Sequence, residues 1–338
     1  LNRDYVIMGR AEKENKREKK ERWLKPIQEN LSGIRLEGAD VACPVCQESG
    51  FVITRWIKGP SAKPIYVLHM RDNSIEDVCQ ISKEQALELR ERISIPEKDI
   101  EALVQNKKPF VLFSGGKDSL ATLIYLRRLS SSLTAVYVDT TAGLPENGDY
   151  VKKVCAYMGV DLKVVRPQKD YFTLAKTWGI PSFKYRWCCR ELKIKPMANF
   201  FRSINEPKVV FDGIRAAESP IRKQYFPVWY HPGFKCLSVS PIFYWSSQQV
   251  SACINSNGIP KTLLHSLLNT STECWCGAYK TESDFRKLYG LNKEMFQKLS
   301  DVEESTDKRY TFVYRKAKKI PLTTLEQEIL LEAEQENK

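Results

Sequence analysis

Ten residues, Phe110–Ser119 (FVLFSGGKDS), constrain the fold of this 338-residue chain more than any other stretch. The apolar run Pro109–Phe113 reads as a short buried strand. It breaks into Ser114, Gly115, Gly116, Lys117, Asp118 and Ser119, after which Leu120–Leu126 carries helical periodicity. A strand, a glycine-rich turn and a helix N-terminus in that order form an anion cradle. The glycines let the backbone approach a ligand closely, and the amide N–H groups with the helix dipole favour negative charge. Lys117 adds a mobile positive charge and the serines add hydroxyl donors. The glycine spacing is neither GxxxxGK[ST] nor GxGxxG. The bland counterpart is an ordinary βα turn, in which glycines are common.

Composition narrows the partners. The length suits one large domain plus a small one, or two domains. Hydrophobic residues make up 42% and charged residues 28%, as in globular chains. No run of eighteen apolar residues reads as a membrane span. The chain begins at Leu1 with no apolar signal segment, so the cytoplasm is the expected location. A net charge of +12 favours polyanions, nucleic acid or nucleotides. Ten cysteines in that setting argue for metal or catalytic thiols over a disulfide framework.

Before the loop the chain divides into three parts. Residues 1–38 form a basic arm, with Ala11–Lys25 read as a charge-laced helix that either faces water or contacts phosphate. Residues 39–82 read as a zinc-ribbon-like module. Cys43-Pro44-Val45-Cys46 is a knuckle, two strand-like runs follow, and His69 and Cys79 complete a four-ligand set for Zn²⁺. Some forty residues hold too small a core alone, so a structural metal is physically reasonable. His69 is the weakest of the four, since a strand histidine can simply make a hydrogen bond. Residues 83–106 read as a helical linker, with Ser82 and Gln85 as a capping box.

After the loop, Leu133–Asp139 reads as a second buried strand, a helix near Asn147–Met158 follows, and Asp161–Arg166 is a third strand. This alternation indicates an α/β fold with a doubly wound, mostly parallel sheet. Asp139 and Thr140 then lie beyond the carboxyl end of a strand, where such sheets bind ligands. Asp118 and Asp139 are candidate Mg²⁺ ligands, although Asp139 also suits a turn or cap. Residues 107–290 form this domain and residues 291–338 a mostly helical region, with Thr323 and Glu326 as a candidate capping box for its last helix.

The loop SGGKDS resembles the PP-loop of the ATP-pyrophosphatase superfamily, whose Rossmann-type, HUP-like members bind ATP and cleave between its α- and β-phosphates. Further blocks resemble the phosphoadenosine-phosphosulfate (PAPS) reductase family. Asp139-Thr140-Thr141 with Pro145-Glu146 is similar to its DTG-type stretch. Trp187-Cys188-Cys189-Arg190 is similar to its paired-cysteine element. Gly213-Ile214-Arg215 through Glu218, Ser219 and Arg222, and Pro241 through Ser246, are similar to two further blocks. Cys274-Trp275-Cys276-Gly277 falls where a second cysteine cluster lies. The resemblance implies that Ser114–Ser119, Asp139, Thr140, Gly213, Arg215, Glu218 and Arg222 hold an adenine nucleotide. It implies catalytic roles for Lys117, Asp118, Cys188, Cys189 and Arg215. It also implies that Cys188, Cys189, Cys274 and Cys276 ligate a [4Fe-4S] cluster. The second pair departs from the common CxxC, which leaves zinc open in place of iron, and adjacent Cys188 and Cys189 leave open which of them is a ligand. The three other cysteines read as core residues.

Reductases of this family use a cysteine in a C-terminal tail, and no cysteine follows Cys276 in these residues. Their loop is also commonly without the Lys-Asp pair that this chain retains. The expected activity is therefore adenylation of an oxygen with release of pyrophosphate, followed by sulfur transfer to tRNA or DNA from a sulfur donor. Two alternatives stand beside it. One is a PAPS or adenylylsulfate reductase served by an outside thiol reductant. The other is a zinc-module nucleic-acid binder that only senses nucleotide. A homodimer is left open.

Overall fold

The computed structural model describes residues 25, 27–29, 36–54, 65–71, 74–259, 273–306 and 310–336. The basic arm, apart from a few residues, lies outside them, as does most of the segment Gly258–Leu268, whose sequence reads as a loop plus a short helix. Among the described residues no helix is long and apolar enough to cross a membrane.

Four strands make the N-terminal sheet: β1 (Asp40–Ala42), β2 (Ser49–Thr54), β3 (Ile65–Arg71) and β4 (Ser74–Ile81), paired in that order. All neighbours are antiparallel, with Val41 opposite Gly50, Val52 opposite Val67 and Val67 opposite Cys79. The register shifts between His69 and Met70, a bulge that lets a strand re-aim its side chains. Two helices follow, α1 (Lys83–Arg92) and α2 (Glu97–Asn106). The capping box is present: Gln85 N donates to Ser82 Oγ at 3.2 Å, and Ser82 N donates to Gln85 Oε1 at 2.9 Å. The linker is not one helix. Pro96 lacks an N–H and disfavours helical backbone at Ile95, so the chain leaves the helix at Ile93 and re-enters at Glu97.

The second sheet contains β5 (Lys108–Leu112), β6 (Thr134–Val138), β7 (Asp161–Val165), β8 (Lys208–Phe211), β9 (Val228–His231) and β10 (Cys236–Val239), in the order β7-β6-β5-β8-β10-β9. It is mostly parallel, with helices on both faces. Strand β8 runs parallel to β5 and β10, while β9 is an antiparallel edge. Strands β6, β8 and β10 are buried along their whole length, as the continuous apolar runs of a covered parallel sheet require. The expected strands at 133–139 and 161–166 are present, each slightly shorter. The hairpin β9–β10 has no counterpart in the sequence reading.

Chain contacts divide the molecule into two compact units. One holds the described residues of Leu1–Leu112, Ala121–Thr134 and Phe201–Cys253. The other holds Phe113–Leu120, Ala135–Phe200 and the described residues of Ile254–Lys338. Helix α3 (Lys117–Leu129) begins at the glycine-rich turn, with only its first four residues in the second unit, where α4 (Pro145–Met158) and α5 (Tyr171–Trp178) follow. Pro145 opens α4 and Gly159, at φ 61°, closes it in the left-handed conformation that glycine favours. Asp170 caps α5, accepting from Thr173 N at 2.9 Å.

After α6 (Lys195–Arg202) and α7 (Ser247–Ser256), helices α8 (Glu282–Leu291), α9 (Lys293–Ser305) and α10 (Leu322–Glu336) complete the chain, with the hairpin β11 (Val313–Arg315) and β12 (Lys318–Ile320) before α10. Phe285, Phe296, Leu299, Phe312 and Leu325 from this region pack in one core with Ala142, Trp187, Cys188, Trp275 and Cys276. The C-terminal helices therefore cover the cysteine-bearing segments.

One buried carboxylate organises that cover. Glu303 is 2% exposed. Its Oε1 accepts from Phe312 N and from Thr311 Oγ1, both at 2.8 Å, and its Oε2 accepts from Leu322 N at 2.6 Å. The last contact puts a negative charge on the N-terminus of α10, where the dipole favours it. Thr323 does not cap this helix, which starts one residue earlier, with Leu325 N donating to Pro321 O. Glu303→Ala is expected to cost about 3 kcal/mol, because buried donors lose their acceptor. The exposed neighbour change Glu304→Ala is expected to stay within about 0.5 kcal/mol. Urea unfolding of the two variants, followed by fluorescence, measures the difference.

Candidate functional site

The N-terminal sheet holds a four-ligand group. The sulfurs of Cys43, Cys46 and Cys79 and a ring nitrogen of His69 all lie within 4.8 Å of one another. Cys46 Sγ stands 3.4 Å from His69 Nε2 and 3.8 Å from Cys79 Sγ. A tetrahedral zinc with sulfur at about 2.3 Å spaces its ligand atoms about 3.8 Å apart, so the set matches one ion. The backbone prepares it. Gln47, after the knuckle, takes φ 64°, its N–H donates to Cys43 O, and Val45 N donates to Cys43 Sγ at 3.4 Å. His69 is buried and its Nδ1 lies 3.2 Å from Ser49 O. With the proton on Nδ1, that bond fixes the ring and leaves the Nε2 lone pair for a metal. Gly50 is demanded by this packing, because a Cβ there would fall 2.5 Å from Val67 Cγ1 and 2.9 Å from His69 Nδ1. Burial and the neighbouring thiols push Cys79 up to about 12, a cost that a bound cation would remove.

In the second unit the glycine-rich turn is held from within. Ser114 N donates to Ser119 Oγ at 3.3 Å, Ser119 Oγ donates to Gly116 O at 2.9 Å, and Leu120 N donates to Gly116 O to start α3. Gly115 has φ 85°, and a Cβ there would lie 2.7 Å from Asn147 Oδ1. Asn147, fully buried, donates through Nδ2 to Ser114 O at 3.0 Å. Lys117 is exposed and Asp118 half-buried in the first turn of the helix. The first amides of a helix have no acceptor within it, so this turn presents donors and a cation together.

The turn after β6 joins the nucleotide candidates to the cysteines. Asp139 Oδ1 accepts from Thr141 N at 3.0 Å, and Oδ2 pairs with Arg166 Nε at 2.9 Å. The expected Mg²⁺ ligand is thus engaged as a turn residue and ion-pair partner. Thr140 Oγ1 donates to Glu273 O at 3.1 Å, and Trp275 N donates to Ala142 O at 2.6 Å. Gly143 permits the approach, since a Cβ would sit 2.7 Å from Glu273 O. Thr141 takes φ 60°, which is strained for a β-branched residue, and its hydroxyl accepts from Tyr171 N at 2.7 Å.

The four cysteines of this unit touch in successive pairs, Cys189 with Cys188, Cys188 with Cys276 and Cys276 with Cys274, but among the described residues only the N-terminal set brings three or more ligand atoms together around one point. Cys188 Sγ lies 3.3 Å from Cys276 Sγ, and Tyr171 Oη donates to Cys276 O at 3.3 Å. The hydrogen bond between Cys188 and Cys189 raises the first thiol and lowers the second. The contact with Cys188 pushes Cys276 up to about 12, and the contact with Cys276 holds Cys274 well above its ordinary value. Cys189 and Cys274 are the half-exposed members, and Cys189 opens a π-helical turn, Cys189–Ile194, a geometry frequent at functional sites. This donor set suits a soft metal or cluster, and thiolate chemistry alone does not choose between zinc and iron–sulfur. Trp275, fully buried and set between Cys274 and Cys276 in the chain, has no hydrogen-bond partner for Nε1 among the described residues, and Lys280 Nζ sits 4.2 Å above its ring.

The other unit holds Gly213, Arg215, Glu218 and Arg222 on the loop after β8. Arg215 is 2% exposed; its N–H donates to Glu218 Oε2 at 3.1 Å and its guanidinium to Trp245 O at 3.0 Å. Arg222 pairs with Glu218. Glu218 therefore holds the backbone at Arg215 and the side chain of Arg222, while the Arg215 guanidinium is anchored inside the fold on Trp245 O. Sequence reasoning missed Asn147, Thr141, Arg166, Tyr171 and Glu273. None of them carried a local signal: Asn147, between Glu146 and Gly148, reads as an ordinary polar residue at the start of a predicted helix. Cys155 and Cys236 are buried and Cys253 half-buried, in line with a packing role.

His69→Ala is expected to weaken metal binding at the N-terminal group about 100-fold, as competition with a chromophoric chelator reads it. Ser94→Ala, away from the group, is expected to leave it unchanged. Equal affinities would remove His69 from the ligand set.

Sequence comparison identifies relatives of this arrangement. A protein of Methanocaldococcus jannaschii, the uncharacterized MJ0066, is 36% identical over 149 residues, 43% of this chain and 31% of its own. A second uncharacterized protein of that organism, MJ0973, is 26% identical over 238 residues, 69% of this chain and 57% of its own. The adenosine 5'-phosphosulfate reductase of Staphylococcus epidermidis is 23% identical over 164 residues, 48% of this chain and 66% of its own. The chain thus spans about one third to two thirds of these relatives' lengths. Among solved structures, the PAPS reductase of Candida auris, in a phosphate complex, aligns over 58% of this chain and 97% of its own, with 19% identity and a TM-score of 0.45. The phosphoadenosine phosphosulfate reductase domain matches residues 108–276, from β5 through the last thiol. That match spans half of the chain, and the chain belongs to the phosphoadenosine phosphosulfate reductase domain family.

Proposed function

We propose that this chain is an ATP-pyrophosphatase-type enzyme that adenylates a carbonyl oxygen of a nucleic-acid base and replaces that oxygen with sulfur. The observation that carries the reading is the continuity of one unit. The turn Ser114–Ser119, with Lys117 and Asp118 intact, shares that unit with the four thiols, and the turn Asp139–Gly143 is hydrogen-bonded to the cysteine segment.

In this reading the amides of the turn, Lys117 and the two serine hydroxyls hold the phosphates of ATP, and Asp118 would help to hold Mg²⁺, which neutralises phosphate charge when bound. The carbonyl oxygen attacks the α-phosphorus, the bond to the β-phosphate oxygen breaks, and pyrophosphate leaves with that electron pair. A hydrosulfide then attacks the activated carbon, the C–O bond breaks, and AMP departs with its oxygen. The base loses the sulfur-borne proton to solvent and retains a thiocarbonyl, with no net electron transfer. Cys188, Cys189, Cys274 and Cys276 would hold the metal or cluster, which supplies a binding site for sulfur when present. Cys189, half-exposed, would be a ligand of that group on its solvent-facing side, and the sulfur itself enters as hydrosulfide.

The names of the reductase relatives favour a second reading, reduction of adenosine 5'-phosphosulfate to sulfite and AMP by an external thiol. Anaerobic protein with ATP, Mg²⁺, sulfide and total tRNA or DNA is expected to yield AMP, pyrophosphate and a thiolated nucleoside, read by mass spectrometry. Lys117→Ala is expected to weaken ATP binding at least tenfold in titration calorimetry, and Cys189→Ala to abolish the thiolated product. Sulfite from the sulfonucleotide, with no pyrophosphate from any polynucleotide, would give the second reading instead.

A further inference from the structure

Three aromatic rings beside the thiols face solvent. Phe183 is 63% exposed, Tyr185 60% and Tyr279 56%. Phe183 and Tyr185 belong to a tight turn in which Ser182 N donates to Tyr185 O at 3.2 Å and Tyr185 N donates to Ser182 O at 3.1 Å. That reciprocal pair projects Phe183 and Lys184 at the tip. The Phe183 ring meets Tyr279 edge-on, with centroids 5.6 Å apart at 87°. Arg186 lies against both rings, 5.8 Å from one centroid and 5.5 Å from the other, and donates to Tyr279 Oη. The group is thus a fixed assembly, held by an edge contact, a cation over two rings and a closed turn.

Its position follows from the chain. Arg186 precedes Cys188 by two residues, and Tyr279 follows Cys276 by three. The same two segments meet at the Cys188–Cys276 sulfur contact, at 3.3 Å. Two or three residues reach at most about 7–11 Å, which bounds the backbone separation of Arg186 from Cys188 and of Tyr279 from Cys276. Core packing does not account for them, because rings recruited for packing are buried. Their surroundings are basic: residues 184–195 carry five lysines and arginines against the single acid Glu191.

We infer that Phe183, Tyr185 and Tyr279 form a stacking platform for the unpaired bases of single-stranded nucleic acid, with Lys184 and Arg186 meeting its phosphates. This deepens the proposed function and rests on its nucleic-acid substrate. Stacking needs an open base face, which a paired base in a duplex keeps against its neighbours. An enzyme that attacks a ring carbonyl carbon also needs the base out of its stack. The positive charge around the rings complements a phosphate backbone, and exposed aromatics with Arg are the composition that such strands bind.

The test uses the full chain and fluorescein-labelled oligo-uridine, oligo-thymidine and a matching duplex, with anisotropy at fixed salt. Phe183→Ala and Tyr279→Ala are each expected to weaken single-strand binding about tenfold, in the range measured for base–aromatic stacking. Phe183→Trp and Tyr279→Phe are expected to retain it, and calorimetry of ATP on all four variants reports that the fold holds. Wild-type binding that the alanine variants keep in full overturns the platform and leaves the nucleic-acid substrate standing. Equal affinity for duplex also overturns the platform. Absence of binding to all three probes by protein that binds ATP overturns the platform and the nucleic-acid reading together. Ring-dependent self-association in sedimentation, in place of oligonucleotide binding, would assign the surface to a second copy of the chain.

Discussion

The contact on which the candidate site depends is the pairing of two distant turns, Asp139–Gly143 and Glu273–Cys276. Thr140 Oγ1 donates to Glu273 O, Trp275 N donates to Ala142 O, and Gly143 leaves room for the carbonyl that a Cβ would strike. Each bond alone is worth about 1 kcal/mol. Their value is geometric: they fix a loop at the carboxyl end of β6 against the segment that carries two thiols. Thr141 shows the tension in that turn. A β-branched residue holds a left-handed backbone there, and its hydroxyl is committed to Tyr171 N.

In each unit the buried polar groups of the described residues are satisfied with few exceptions. Asn147 reaches back to the carbonyl of Ser114 and so sets the shape of the glycine-rich turn. Asp212, buried at the end of β8, accepts from Ser240 Oγ at 2.6 Å, Ser238 Oγ at 3.2 Å and Ile214 N at 3.1 Å. Burial still holds its carboxyl above the ordinary range. That arrangement stiffens the loop bearing Arg215 and Arg222. Glu303 does the same for the helices over the cysteines. Against this background the unpartnered Nε1 of Trp275, set between Cys274 and Cys276 in the chain, stands out as a buried donor without an acceptor among the described residues.

Local patterns were legible because their causes are local. A glycine-rich turn between an apolar strand and a helical run, the knuckle CPVC, the Ser82–Gln85 box and the Pro145 helix start each depend on a handful of neighbouring residues. Their counterparts appear with small shifts at the ends. Elements with mixed signals were less legible. The strands β9 and β10 carry His231, Ser238 and Cys236 within a short hairpin, and burial from the sheet outweighs their weak alternation. The linker was over-extended because Leu and Glu on both sides of Pro96 favour helix, while the break is steric.

The sequence by itself determined the strand–turn–helix at Ser114–Ser119, the alternation that makes a parallel sheet, and the cysteine and histidine types that suit soft metals. These follow from residue type and spacing along the chain. Only the tertiary structure decided which groups face one another. It brought His69 Nε2 to Cys46 Sγ, paired Cys188 with Cys276 across 88 residues, tied Asp139 to Arg166, and gave Glu303 rather than Thr323 the end of α10. Such contacts are settled by competition among all the buried polar and apolar groups at once, a global condition that no window of sequence contains.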